Sequence, residues 1–128
     1  EQAYTFLELP LPPESPLRHV QMHYFDERRG GAKRGGPPQA TVAFDLDTTQ
    51  LGPLWITLQV HGQRCQCTLR AATGEARAAL EAQSAELATS LSQAGYANPQ
   101  ITTASWDGDR LRAAAALMAR FQGLALRV

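Results

Sequence analysis

The feature that most constrains this chain is a change of hydrophobic period near residue 72. From residue 40 to 71 apolar side chains recur at every second position, and from Thr73 onward they recur at helical spacing. A period of 2 puts alternate residues on opposite faces of a strand, and a period of 3.6 draws one stripe along a helix. Val42, Phe44 and Leu46 alternate with Ala43, Asp45 and Asp47; Leu54, Ile56, Leu58 and Val60 alternate with Trp55, Thr57 and Gln59; Cys65, Cys67 and Leu69 alternate with Gln66, Thr68 and Arg70. These are three strands, the last two joined by the short turn His61-Gly62-Gln63. Thr73 then reads as an N-cap with Glu75 in the first turn. Ala76, Leu80, Leu87, Leu91 and Ala94 trace the apolar stripe, with Gln83 and Ser84 at its edge and Gly95 as the stop.

On either side of this block the pattern is shorter. Tyr4 to Leu11 reads as a strand ended by Pro10, Pro12 and Pro13. Residues 18–25 alternate Val20, Met22 and Tyr24 with His19, Gln21 and His23, so the two segments form a hairpin or a pair of edge strands. Residues 26–39, rich in Gly and basic side chains, read as a flexible loop. Beyond the long helix, residues 99–105 predict a strand anchored by Ile101. Asp107 or Asp109 caps a second helix with the stripe Leu111, Ala114, Ala115, Met118 and Phe121. Gly123 is expected to stop it, and Leu124, Leu126 and Val128 to form a last short strand. The order predicts an α+β fold: a mixed or antiparallel sheet, one long helix packed on a face, and a second, shorter helix near the C-terminus. Leu80, Leu87 and Leu91 are expected to pack on Phe44, Ile56, Leu58 and Cys67.

At 128 residues the chain is expected to be one domain: 1–39 as N-terminal strands and loop, 40–106 as the core, 107–128 as the C-terminal helix and short strand. It starts at Glu1 and reads as a piece of a longer protein; eleven Arg against one Lys hint at a GC-rich bacterial source. Twelve basic and twelve acidic residues cancel. A neutral chain offers no electrostatic footprint for nucleic acid or for an anionic membrane surface. No apolar run approaches the ~20 residues of a membrane span.

The residues that could carry chemistry have plainer readings. Cys65-x-Cys67 lacks the second pair that a zinc site needs, and i,i+2 neighbours on a strand suit a disulfide poorly; a buried, inert pair is expected. His19, His23 and His61 read as scattered surface histidines. Asp45 and Asp47 read as an exposed strand face, and Arg28, Arg29, Lys33 and Arg34 as a solvated loop. No nucleophile elbow or phosphate loop is present. The expectation is a monomeric non-enzyme with no cofactor and no metal. Trp55 points away from the face carrying Leu54, Ile56 and Leu58. Either the N-terminal strands or the second helix cover it, or it is an exposed anchor for a partner.

The run from Phe44 through Leu51-Gly52-Pro53-Leu54-Trp55-Ile56-Thr57 to Leu58, followed by a turn, a strand, and a helix with Leu80, Leu87 and Leu91 ending at Gly95-Tyr96, resembles the C-terminal domain of the bacterial flagellar hook-length control family. The upstream Phe6-Leu7-Glu8-Leu9-Pro10 and the strand ending at Tyr24-Phe25 extend the resemblance over most of the chain. Thr48 stands where the family usually has proline, and Gln50 where it has an acidic residue. The resemblance implies a non-enzymatic switch domain that follows a long secreted ruler segment. Its partner would be the cytoplasmic domain of the export-gate switch protein. Contact would change type III export from hook to filament substrates, in the bacterial cytoplasm at the gate, with the full-length protein itself secreted. Needle-length regulators of virulence secretion systems share this pattern. A small ligand-binding or hydrolytic α+β domain and a purely structural subunit are the competing classes. The expected partner-binding surface is Leu51, Gly52, Pro53, Trp55 and Thr57.

Overall fold

The computed structural model describes residues 3–26 and 39–126. Six strands form a single sheet in sequence order: β1 (Ala3–Glu8), β2 (Leu17–Asp26), β3 (Gln39–Thr48), β4 (Gly52–His61), β5 (Arg64–Ala71) and β6 (Gln100–Ser105). The first five pair antiparallel, as short connections allow; β6 lies parallel to β5 because α1 (Gly74–Gln93) carries the chain back between them. The sheet is therefore mixed and the fold α+β, as the change of period implies.

The ends of α1 follow from its sequence. Thr73 is extended, and its hydroxyl accepts from the Ala76 amide at 3.0 Å. At the other end Gly95 takes φ +110, a left-handed value that a side chain would strain. Its amide donates to Ser92 and the Tyr96 amide to Leu91, the paired bonds of a Schellman motif. α2 (Arg110–Leu126) begins at Asp109, whose carboxylate accepts from the Arg112 amide at 3.0 Å. Of the two candidate caps, Asp109 takes the role. Asp107 instead accepts from the Asp109 amide and fixes the turn before it.

The end of α2 departs from the sequence expectation. The helix runs through Gly123 to Leu126, so no strand forms over 124–126; Val128 lies outside the described residues. One glycine inside a helix costs only about 1 kcal/mol relative to alanine, too little to end a helix that is otherwise favoured. The expected loop is shorter by its ends, since Asp26 belongs to β2 and Gln39 to β3; residues 27–38 lie outside the described residues.

Register assigns the two faces. On one, Met22, Phe44, Ile56 and Leu69 stand in a row, as do Tyr24, Val42, Leu58 and Cys67. On the other, Gln21, Asp45, Trp55 and Arg70 form a row, as do His23, Ala43, Thr57 and Thr68. α1 lies along β5 and β6, the two strands it joins. Its Ala76 is buried with Leu54 and Ala71, and Leu46, Leu51 and Leu80 pack around them. Leu87 and Leu91 are half-buried. The helix thus sits nearer one edge of the sheet than the expected packing on Phe44, Ile56 and Leu58 requires. Those three residues are half-buried, while Cys67 is closed off. A helix linking adjacent parallel strands is held over that pair by its short connections, and the strands beyond it stay open.

The opposite face is covered by α2. Phe25, Ala43, Trp55 and Leu117 form its buried cluster, with Trp106, Ala113, Ala114 and Met118 packed against it.

Candidate functional site

The expected partner surface divides into a corner and a core. The corner is the tight connection from β3 to β4. Thr48 builds it with one side chain: its hydroxyl accepts from the Leu51 amide at 2.8 Å and donates to the Gly52 carbonyl at 3.1 Å. Gly52 has φ +74, open space where a Cβ would stand, and a backbone conformation that a side chain would strain. Leu51, Gly52 and Pro53 are all partly exposed. The corner adjoins the connection from β6 to α2, since a Cβ on Gly108 would lie 3.8 Å from Pro53 Cγ and 3.6 Å from Ala72 Cβ. Three connections therefore meet at this end of the sheet.

Trp55 belongs to the core. It is 4% exposed, and its ring lies 6.2 Å from Trp106 and 5.9 Å from His23, centroid to centroid. Of the alternatives left open by the sequence, α2 covers it. Thr57 is half-buried in the next row, paired in register with Ala43 and Thr68. The structure brings Leu51, Gly52 and Pro53 together on the surface and puts Trp55 beneath α2, with Thr57 on the same sheet face.

Beside Trp55 lies a polar cluster that the sequence reading placed on the surface. Asp45 is 3% exposed. Its Oδ1 accepts from Arg110 Nε at 2.9 Å, and its Oδ2 lies 3.4 Å from His19 Nε2. The exposed strand face expected for Asp45 is thus closed by the first turn of α2; a buried carboxylate persists there because a cation meets it. Asp47, two residues on, is partly exposed. His19 Nε2 is itself buried without a well-formed hydrogen bond. His23 is buried as well, against the expectation of surface histidines. It stacks among Tyr4, Phe6 and Trp55, and Tyr4 Oη hydrogen-bonds its Nδ1 at 3.0 Å. Burial holds the His23 pKa below 6.5, with the Asp45 charge opposing the shift. Only His61 is exposed in its turn, as expected. Alternation flagged all these residues as polar-face positions. The missing signal was the partner, because Arg110 is 65 residues from Asp45.

Cys65 and Cys67 are buried and free. Burial raises both thiols, Cys67 to about 11 with a further push from Cys65, so neither supplies a thiolate near neutral pH. Among the described residues no group of three or more His, Cys, Asp or Glu could hold a metal ion. No helix there is long and apolar enough to cross a membrane.

Compared with known proteins, residues 28–118 match the family described as flagellar hook-length control protein FliK. That span runs from the residues before β3 into α2 and includes the corner, Trp55 and Thr57. No curated protein and no solved structure gives a significant match.

Proposed function

The chain belongs to the family of the flagellar hook-length control protein FliK, so its role lies in hook-length control, and from that premise we propose that it is the switch domain of such a protein. In this reading it is one domain that acts as a monomer and without catalysis. It binds the cytoplasmic domain of the export-gate switch protein in the bacterial cytoplasm and changes type III export from hook to filament substrates. The longer protein of which it is part is itself exported. The family match over β3, β4, β5, α1, β6 and most of α2 is the observation that carries the reading.

The contact surface we propose starts at the Leu51-Gly52-Pro53 corner. The corner is partly exposed and its backbone is fixed by Thr48, so it can meet a partner with little ordering cost. Trp55 and Thr57 serve the same surface from beneath. Trp55 sets the position of α2, whose entry turn at Gly108 lies against Pro53. A binding event that favours one state of the gate shifts its population by the difference in affinity.

Titration calorimetry with the gate's cytoplasmic domain tests the proposal. Pro53→Ser and Leu51→Ala proteins that melt like the parent should bind more weakly. In cells lacking the native gene they should give over-long hooks with few filaments. Trp55→Phe, which keeps an aromatic ring under α2, should bind normally. Parent protein that fails to bind, or corner variants that switch on time, would remove the reading.

A further inference from the structure

The two helices are fastened to the sheet in different ways. α1 is held at both ends, by β5 before it and β6 after it. α2 follows β6, and no strand comes after it among the described residues. Its entry is built as a pivot. The Trp106 amide donates to the Ala71 carbonyl at 2.9 Å and carries the β5–β6 ladder one residue past the strand. Beyond it, the Asp107 and Asp109 carboxylates fix the first turn of the helix. Gly108 stands between, at φ +80. A glycine between two fixed segments lets a change of direction fall on one or two dihedrals.

The contact that α2 closes is mixed in character. From Arg110 to Arg120, Leu117 is its one buried side chain; Ala113, Ala114 and Met118 are partly buried beside it, against the cluster of Phe25, Ala43 and Trp55. An alanine brings a single methyl group to such a contact. On the same sheet face Thr41, Asp45 and His23 are closed from solvent. Dehydrating the Asp45 carboxylate opposes much of what the apolar contact gains. Two arginine clasps answer it, and water reaches both. Arg110, partly exposed, meets Asp45 at 2.9 Å. Arg120 is exposed; with the Gln59 amide oxygen turned toward it, that oxygen accepts from its Nη1 at 2.8 Å and Nη2 at 3.1 Å. Every residue from Arg110 to Arg120 is Arg, Leu, Ala or Met, among the strongest helix formers, so the helix leans little on the sheet for its winding.

We propose that α2 is a hinged cover. It swings off the sheet as one unit about Gly108, with the six strands and α1 still in place, and uncovers the face that holds Trp55, His23 and Asp45. In the closed state Asp45 has Arg110 for a counter-charge. In the open state water takes that place, so the opening leaves no carboxylate buried and unpaired. Local openings of this kind cost less than global unfolding, because most of the core stays closed. The motion belongs to this chain alone and is independent of whether the corner meets the gate.

Native-state hydrogen exchange on the whole chain, in urea too dilute to unfold it, tests this. Amides from Ala114 to Met118 should be less protected than those of β3 and β4. Their exchange should depend little on urea, since the opening exposes little surface. This readout needs no variant. Ile56→Ala, on the opposite sheet face, weakens the open and closed forms alike. It should speed the slowest β4 amides about tenfold and leave the α2 amides unchanged. Leu117→Ala should speed the α2 amides at least tenfold. One shared rate and urea dependence for α2 and β4 amides overturns the proposal. So does an Ile56→Ala chain in which both sets speed up together. Exchange of the α2 amides at the rate of an unfolded chain overturns it as well, because there would be no closed state.

Discussion

Composition alone does not say which parts of the two sheet faces are closed from solvent. The face under α1 carries Val42, Phe44, Ile56, Leu58 and Val60, yet all five are only half-buried. The face under α2 carries Thr41, Asp45 and His23 among its residues, yet these are closed from solvent along with Ala43 and Trp55. Alternation in a strand says which residues share a face. It does not say how much of that face another element covers. Cover is set by where the connections hold each helix: α1 over β5 and β6, α2 against Phe25, Ala43 and Trp55.

The strongest test of this comparison sets Trp55→Ala against Ile56→Ala, adjacent residues of β4 on opposite faces. Trp55→Ala should cost about 3–5 kcal/mol, because a filled and fully covered site collapses poorly around the lost ring. Ile56→Ala should cost about 1–2 kcal/mol, since its side chain is only partly buried. Urea denaturation of the two proteins measures both, and equal losses would mean that the α1 face is as well covered as the other. Leu87→Ala belongs with Ile56→Ala at about 1–2 kcal/mol, below the range for a fully buried leucine.

The charged cluster gives a smaller effect. Arg110→Ala leaves the Asp45 carboxylate buried beside a histidine and should cost about 1–2 kcal/mol, discounted because the Arg110 side chain is 38% exposed. Arg112→Ala removes exposed pairs with Asp107 and Asp109 and should cost under about 0.5 kcal/mol. If the two losses are alike in the same denaturation series, the buried Asp45 pair contributes no more to stability than the exposed ones.

The subtlest test is pH. The folded His23 pKa lies below its unfolded value of 6.5, so the unfolded chain binds the proton first. This contribution to stability is whole above pH 6.5 and is lost as pH falls through the folded value. The melting temperature should drop between pH 7 and pH 5, and His23→Phe should flatten that drop. A His23→Phe protein with an unchanged profile would assign the dependence to other groups.

Much of the fold was legible because it is written locally. The six strands, the Thr73 cap, the Gly95 stop and the α+β class all follow from period and from residues within a few positions of one another. The α2 terminus was not, because Gly123 is a weak signal that only the rest of the helix can outweigh. Burial of Asp45 and His23 was not legible either, since the covering helix begins 65 residues beyond Asp45 and more than 80 beyond His23. Of the candidate site, the corner was readable from Leu51-Gly52-Pro53. The position of Trp55 under α2 needed the third dimension.

The parallel pairing of β5 with β6 also bears on how the chain reaches its structure. Strands β1 to β5 form a meander of antiparallel neighbours, three of whose pairings close through connections between adjacent strands without a helix. β6 can join only after the chain has passed through the 20 residues of α1. Loop-closure entropy places that step late, and the docking of α2 follows it in sequence. Substitutions at Ile101 or Leu117 should therefore speed unfolding while leaving the folding rate nearly unchanged. Substitutions at the β3–β4 turn should slow folding itself. In a chain emerging N-terminus first, the sheet face that holds Trp55 would stand open until its last helix arrives.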